Sequence, residues 1–446
     1  MKIKQWLIAL LFILLLTACD DYDEEFPAFE DMDELATSSD ESTEAPDEPL
    51  KASPDETLDT NPDETLGSLS EESKSGLNSA ECPFAQPDGY DITCGYLTAP
   101  ENRTLPDSPD IELAYAIVYA AVDEDRPPII YLSGGPGGSA IDDFVSDPES
   151  WQYPFTRARD LILIDQRGTG YSWPSLDCPE LAEEVDFDDE NPEVVCHERL
   201  IAEGIDLTGY NTAENAADVA ALREELGIDS WDLLGISYGT RLALNIMRDH
   251  PQGVRSVVLD SVFPPNADTP VEEALSPLRS LQLLFSDCAN DAYCDDRYPD
   301  LETVFLDTVM ALNESPEDGV FGDDFAFAVS NALNDTALIP LLPYVIYAIA
   351  DGNIGALDEI SSDDSASDRR RFQAEEDRSD SEGMYNSVIC HDEYIFGSYE
   401  TAEAKLLAEA PQAIEAILLQ PVADLFQVCS YWGAGEAGPV ENEPLI

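Results

Sequence analysis

Residues 233 to 244 read LLGISYGTRLAL: an apolar run, a Gly-Ile-Ser-Tyr-Gly turn, then helical spacing. A serine between small residues, at the end of a strand and the start of a helix, stands on a sharp turn with its hydroxyl exposed. That is the station of an acyl-transfer nucleophile. The spacing alone arises often by chance, so its context matters. Upstream lies Ser133-Gly134-Gly135-Pro136-Gly137-Gly138, a loop able to present backbone N–H groups with no side chains in the way. Ser237 then serves as nucleophile, and the N–H groups of Tyr238 and Gly135 face the charge that develops on the acyl oxygen. The glycine loop lacks the terminal Lys-Ser/Thr of a P-loop, which argues against a phosphate cradle.

Such a site needs elements to hold it. The stretch 111–120, the apolar run PPIIYL ahead of the glycine loop, the start of 160–172, the run ending at Ser237, and 256–265 all read as strands, most of them uniformly apolar. Between them, Ala216, Val219, Ala220, Leu222 and Leu226 share one helical side, and Gly227 ends that helix. Buried strands alternating with helices imply an α/β fold with a doubly wound, mostly parallel sheet covered on both faces. From 266 to about 420 the spacing turns helical, as expected of a cap inserted over the sheet.

These segments are similar to the α/β-hydrolases of the proline iminopeptidase and tripeptidyl aminopeptidase family. LSGGPGGSA resembles its HGGPG-type loop, with Ser133 in place of the usual histidine, and LILIDQRGTGYS resembles its D-x-R-G-x-G-x-S turn. YNTAENAADVAALREELG, LLGISYGTRLALNIMRDHPQGV and SVVLDSVFPP follow in the family's order, and SVICHDEYIF resembles the Cys-x-Glu-Asp segment late in its cap. The resemblance implies release of single residues or short peptides from free N-termini through an acyl-serine intermediate, with peptide substrates and no metal or cofactor. It also implies that Asp392 or Glu393 holds the substrate's α-ammonium; a surface or helix-capping carboxylate is the competing reading of either. An esterase or lipase on the same scaffold, or a non-catalytic binding lipoprotein, are the alternatives.

A serine nucleophile needs a base, and the chain has three histidines. His250 follows Ser237 by 13 residues, roughly 20 Å along a helix. His197 sits beside a cysteine in a surface excursion, and His391 lies in the cap. In the family the acid and the histidine come after the cap, in strands and a helix for which no counterpart is found before Ile446. The resemblance therefore implies a chain cut short before its catalytic Asp and His, with little activity of its own.

The two ends and the charge set the location. Lys2 and Lys4, the apolar run Trp6 to Leu16 and then Leu16-Thr17-Ala18-Cys19 resemble a bacterial lipoprotein signal, with Cys19 as the lipidated residue. Asp20 next to it is associated with the inner membrane. The expected organisation is a signal peptide over 1–19, a disordered acidic linker over 20–80, a hydrolase core over 81–265, a helical cap over 266–420, and the start of a return to the core over 421–446. Residues 20–81 carry 22 acidic residues against two lysines, and the chain after residue 81 still holds 72 against 17. A net charge of −73 excludes nucleic acid and docking on anionic lipid by charge, and is accounted for by a halophilic host whose salt screens the self-repulsion. Eight cysteines besides Cys19 suit an exported, disulfide-bonded protein. Of the 105 possible pairings, the local set is expected: Cys82–Cys94, Cys178–Cys196, Cys288–Cys294 and Cys390–Cys429.

Overall fold

A computed structural model describes residues 77–122, 126–149, 157–181, 191–360, 378 and 380–444. The expected signal peptide, Cys19 and the acidic stretch up to residue 76 lie outside the described residues. One sheet organises the rest of the core. Its strands are β1 (Leu77–Ala80), β2 (Ile92–Pro100), β3 (Asp110–Val118), β4 (Ile129–Leu132), β5 (Leu161–Ile164), β6 (Trp231–Ile236) and β7 (Val254–Asp260), in the order β1-β2-β3-β5-β4-β6-β7. The pairings β5–β4, β4–β6 and β6–β7 are parallel, whereas β1, β2 and β3 join antiparallel. The sheet is thus parallel where the site is built and antiparallel at its first edge.

The central strands are apolar throughout because both faces are covered. Alternate residues of β4 point to opposite sides. Ile130 and Leu132 join one core with α3 (Thr212–Glu225) and α4 (Tyr238–Asp249), while Ile129 and Tyr131 join another with α1 (Ala140–Ser146). A fourth helix, α2 (Pro192–Glu203), completes the core set. The buried residues of α3 include Ala216, Val219 and Leu222, the side that its spacing selects.

Three expectations need correction. Strand β1 starts at Leu77, inside the stretch read as linker to residue 80, and β2 was not recognised as a strand. Gly95 weakens the β signal of β2, yet the strand requires it: a Cβ there would lie 2.4 Å from the Tyr115 hydroxyl. The third concerns the block 266–420. Helices α5 (Thr269–Asn290), α6 (Ala292–Arg297), α7 (Leu301–Glu314), α8 (Gly322–Ala332) and α9 (Leu342–Ala350) lead into α10 (Glu382–Asp392), α11 (Tyr399–Glu409) and α12 (Glu415–Trp432). Most of these share a separate core, but Met384 and Val388 of α10 pack in the sheet's core. The boundary at 420 falls inside α12, whose Leu418 and Val422 serve the helical core and whose Val428 and Trp432 serve the sheet's. Spacing marks a helix; it does not say which layer the helix covers.

All four local cysteine pairs are disulfides, and Cys390–Cys429 ties α10 to α12. Among the described residues no helix is long and apolar enough to cross a membrane. The one His/Cys/Asp/Glu group of ligand geometry among them is Cys178, Glu180 and Cys196, whose two sulfurs are bonded to each other.

Candidate active site

Strand β6 ends at Ile236 and α4 begins at Tyr238, so Ser237 must make the whole turn between them. Its φ of 54° and ψ of −122° lie where an L-residue is strained, by on the order of 1–3 kcal/mol. The surroundings hold it there. Ser237 N–H donates to the Asp260 carbonyl at 2.9 Å, and the Ser237 carbonyl accepts from Thr240 N–H and Oγ1 at 2.9 and 2.7 Å. The flanking glycines are steric necessities. A Cβ on Gly235 would come within 2.4 Å of the Gly239 carbonyl, and one on Gly239 within 2.0 Å of the Leu132 carbonyl. Without them α4 would not dock against β4. The Ser237 side chain is exposed and has no hydrogen-bond partner among the described residues.

The glycine loop leaves β4 and runs past this turn, so close that a Cβ on Gly134 would stand 3.1 Å from Ser237 Cβ. Its far end is tied down by Asp165, the first residue after β5. That buried carboxylate accepts from Ser139 Oγ at 2.9 Å, Ile141 N–H at 3.0 Å and Tyr171 N–H at 2.8 Å. Burial pushes its pKa up to about 6 despite those donors. Ser133, in the position of the usual histidine, donates instead to Asp143 at 2.8 Å. Among the described residues the N–H groups of Gly135 and Tyr238 have no acceptor. Both residues line, with Ser237, a cleft of about 370 Å³.

Asp392 and Glu393 are adjacent in sequence, but the structure separates them. Helix α10 ends at Asp392, and Glu393 leaves helical geometry at φ −128°, ψ −62°, so the two carboxylates diverge. Asp392 is not among the residues lining the cleft. It turns inward and accepts from Thr212 N–H and Oγ1 at 2.8 and 2.5 Å and from His391 Nδ1 at 2.7 Å. Burial opposes its ionisation, but the His391 hydrogen bond and charge and the Arg241 guanidinium outweigh that and hold the pKa below the usual range. Thr212 Oγ1 also meets the Tyr238 hydroxyl at 2.9 Å, so Asp392 anchors the residue that follows the serine. Thr212→Val should cost about 1–3 kcal/mol in urea unfolding, because it leaves Asp392 and Tyr238 short of a partner.

Glu393 does line the cleft. It is only 3% exposed, and neither carboxylate oxygen has a hydrogen-bond partner. Burial drives its pKa up to about 7; the Arg241 charge and the nearby Thr269 hydroxyl work against this, while Asp392 and Glu273 add to it. Sequence reading missed the rest of the lining: Thr269, Glu272 and Glu273 from the start of α5, and Tyr385 and Tyr394 around α10. The only signal was the Glu-Glu pair near the start of α5, which does not reveal the face it presents.

None of the three histidines lines the cleft or hydrogen-bonds Ser237. His250 caps the far end of α4. His391 is engaged with Asp392, and His197 is half-buried against the rings of Tyr431 and Trp432, rather than lying free on the surface.

Comparison with known proteins agrees with this geometry. A family model described as the alpha/beta hydrolase fold matches residues 127–312. The serine protease Hip1 of Mycobacterium tuberculosis is 30% identical over 221 residues, which is 45% of this chain and 42% of that protein. The tripeptidyl aminopeptidase of Streptomyces lividans is 26% identical over 349 residues, covering 72% and 64% respectively. The proline iminopeptidase of Xylella fastidiosa is 29% identical over 138 residues, covering 30% and 32%. The matches thus span less than two thirds of the length of each of these relatives.

Proposed function

Since the chain belongs to the α/β-hydrolase family of the proline iminopeptidases and tripeptidyl aminopeptidases, we propose that it is an exported serine hydrolase whose cleft recognises the free N-terminus of a peptide. In this reading Ser237 attacks the acyl carbon, and the Tyr238 and Gly135 amides receive the oxyanion. Glu393 pairs with the α-ammonium. One observation carries it: an exposed serine, two amides without acceptors and a buried carboxylate without a partner all border one cleft. A buried, unpaired carboxylate is costly unless a cation joins it, and an ester or lipid substrate would supply none. That consideration favours a peptidase over the esterase alternative.

Export with lipidation at Cys19 belongs to the same reading and is supported by the signal-like N-terminus and the four disulfides, which persist in oxidising compartments. Slow chemistry belongs to it as well. With each histidine placed elsewhere, Ser237 lacks a general base in this chain, a loss that can lower kcat by about 10⁶.

A fluorophosphonate probe tests the serine. Labelling of this chain should be slow, should accelerate in proportion to added imidazole acting as a soluble base, and should vanish in Ser237→Ala. Rapid labelling without imidazole would refute the missing base, and labelling that survives Ser237→Ala would refute the nucleophile.

A further inference from the structure

We propose that Glu273 forms a second cation site in this cleft, so that the protein selects peptides whose N-terminal residue carries a lysine or arginine side chain. The inference rests on the reading of Glu393 as the α-ammonium site and names the substrate class for it. Helix α5 begins at Thr269, and its first turns bring Glu272 and Glu273 to the cleft wall. Glu272 is already paired with Arg279 on the same helix. Glu273 has neither an ion pair nor a hydrogen bond among the described residues; it stands exposed at the cleft wall, where partial desolvation by its surroundings raises its pKa.

Two rings connect the carboxylates. Tyr385 and Tyr394 line the cleft, and in both the hydroxyl pKa is pushed up, first by burial and then by the charges of Glu273 and Glu393. Both carboxylates therefore act on the same two phenols. The Tyr394 hydroxyl is buried and has no partner, which leaves it ready to accept from a cation. No lysine or arginine lines the cleft among the described residues.

The electrostatics then decide the ligand. An α-ammonium neutralises one carboxylate and leaves the other desolvated by the bound peptide. An apolar side chain would complete that desolvation with no compensation. A basic side chain answers it with a charge-assisted hydrogen bond. The protein's overall charge attracts any cation, but that field is spread over the whole surface and screened by salt, whereas this pairing is local.

Calorimetric titration of the chain, slightly above neutral pH and in molar NaCl, separates the possibilities. The ligands are L-lysinamide, its isostere L-norleucinamide, and N-acetyl-norleucinamide. Lysinamide should bind about tenfold more tightly than norleucinamide, and Glu273→Gln should bring the two level. Equal affinities in the unmodified chain would overturn the second site, as would a preference that survives Glu273→Gln. The ammonium reading is judged separately by norleucinamide against its acetylated form: equal binding of those two, or no binding of any amide, refutes that reading and the second site with it. A thermal unfolding curve for Glu273→Gln matching that of the unmodified protein shows that the variant is folded.

Discussion

Replacing Glu393 by glutamine is expected to make the protein harder to unfold above neutral pH while weakening its hold on a free N-terminus. The carboxyl titrates near 7 in the folded protein against its ordinary 4.5, because burial outweighs what the Arg241 charge and the Thr269 hydroxyl offer the ionised form. An acid with a raised folded pKa binds more protons folded than unfolded across that window. Stability is therefore complete below about 4.5 and declines as pH rises toward 7. At 1.36 kcal/mol per unit, the ionised side chain costs about 3 kcal/mol at pH 8. Glutamine does not titrate. The variant should match the unmodified protein in acid and exceed it by about 3 kcal/mol at pH 8, in urea unfolding at fixed salt.

Binding should move the opposite way. The affinity of the unmodified chain for a peptide amide should fall as pH drops below about 7, where Glu393 takes a proton, and again above about 8, where the peptide's α-amine loses one. The glutamine variant should lose the acid limb and keep the alkaline one. A gain in stability coupled to a loss of binding is the mark of a residue kept for a ligand rather than for the fold. If Glu393→Gln destabilises the protein at pH 8, the carboxylate has a structural partner and the ammonium site is elsewhere.

Arg167→Ala should act in the other direction, with a loss of about 3–5 kcal/mol. Arg167 is fully buried. Its Nε and Nη2 donate to the two carboxylate oxygens of Asp218 at 2.8 and 2.9 Å, and its Nη1 donates to the carbonyls of Glu101 and Gly209. One side chain thereby joins the end of β2, the turn before α3 and α3 itself to the loop after β5. Truncation leaves Asp218 with Arg103 as its remaining cation and strands two buried carbonyls. Lysine should not rescue it, because a point charge cannot reproduce the fork. The shift in urea midpoint measures the effect; a loss below about 1 kcal/mol would mean that Arg103 alone neutralises Asp218.

What was legible from residue order is local. Gly235, Ser237 and Gly239 announced the turn because strand, turn and helix are adjacent in the chain; the clash that excludes a side chain at Gly235 is with the Gly239 carbonyl four residues on, whereas the one at Gly239 is with Leu132 of β4 and arises only in the folded sheet. The four disulfides were legible for a similar reason: each joins neighbouring cysteines, from 6 to 39 residues apart. The apolar runs announced a sheet covered on both faces, although not the antiparallel edge that β1 and β2 add to it.

The cleft was not legible, because its walls come from segments far apart in the chain. Asp392 and Glu393 are consecutive and of like chemistry. A break in helical geometry at Glu393 sends one carboxylate to Thr212, some 180 residues away, and leaves the other in the cleft that Ser237 also lines. His391 followed Asp392 inward for the same reason. Which face of α5 meets that space depends on how the helices pack over the sheet, so the contribution of Glu273 had no signature in its neighbours. Backbone sterics act over a few residues and can be read along the chain, whereas desolvation and charge depend on whatever folding brings alongside.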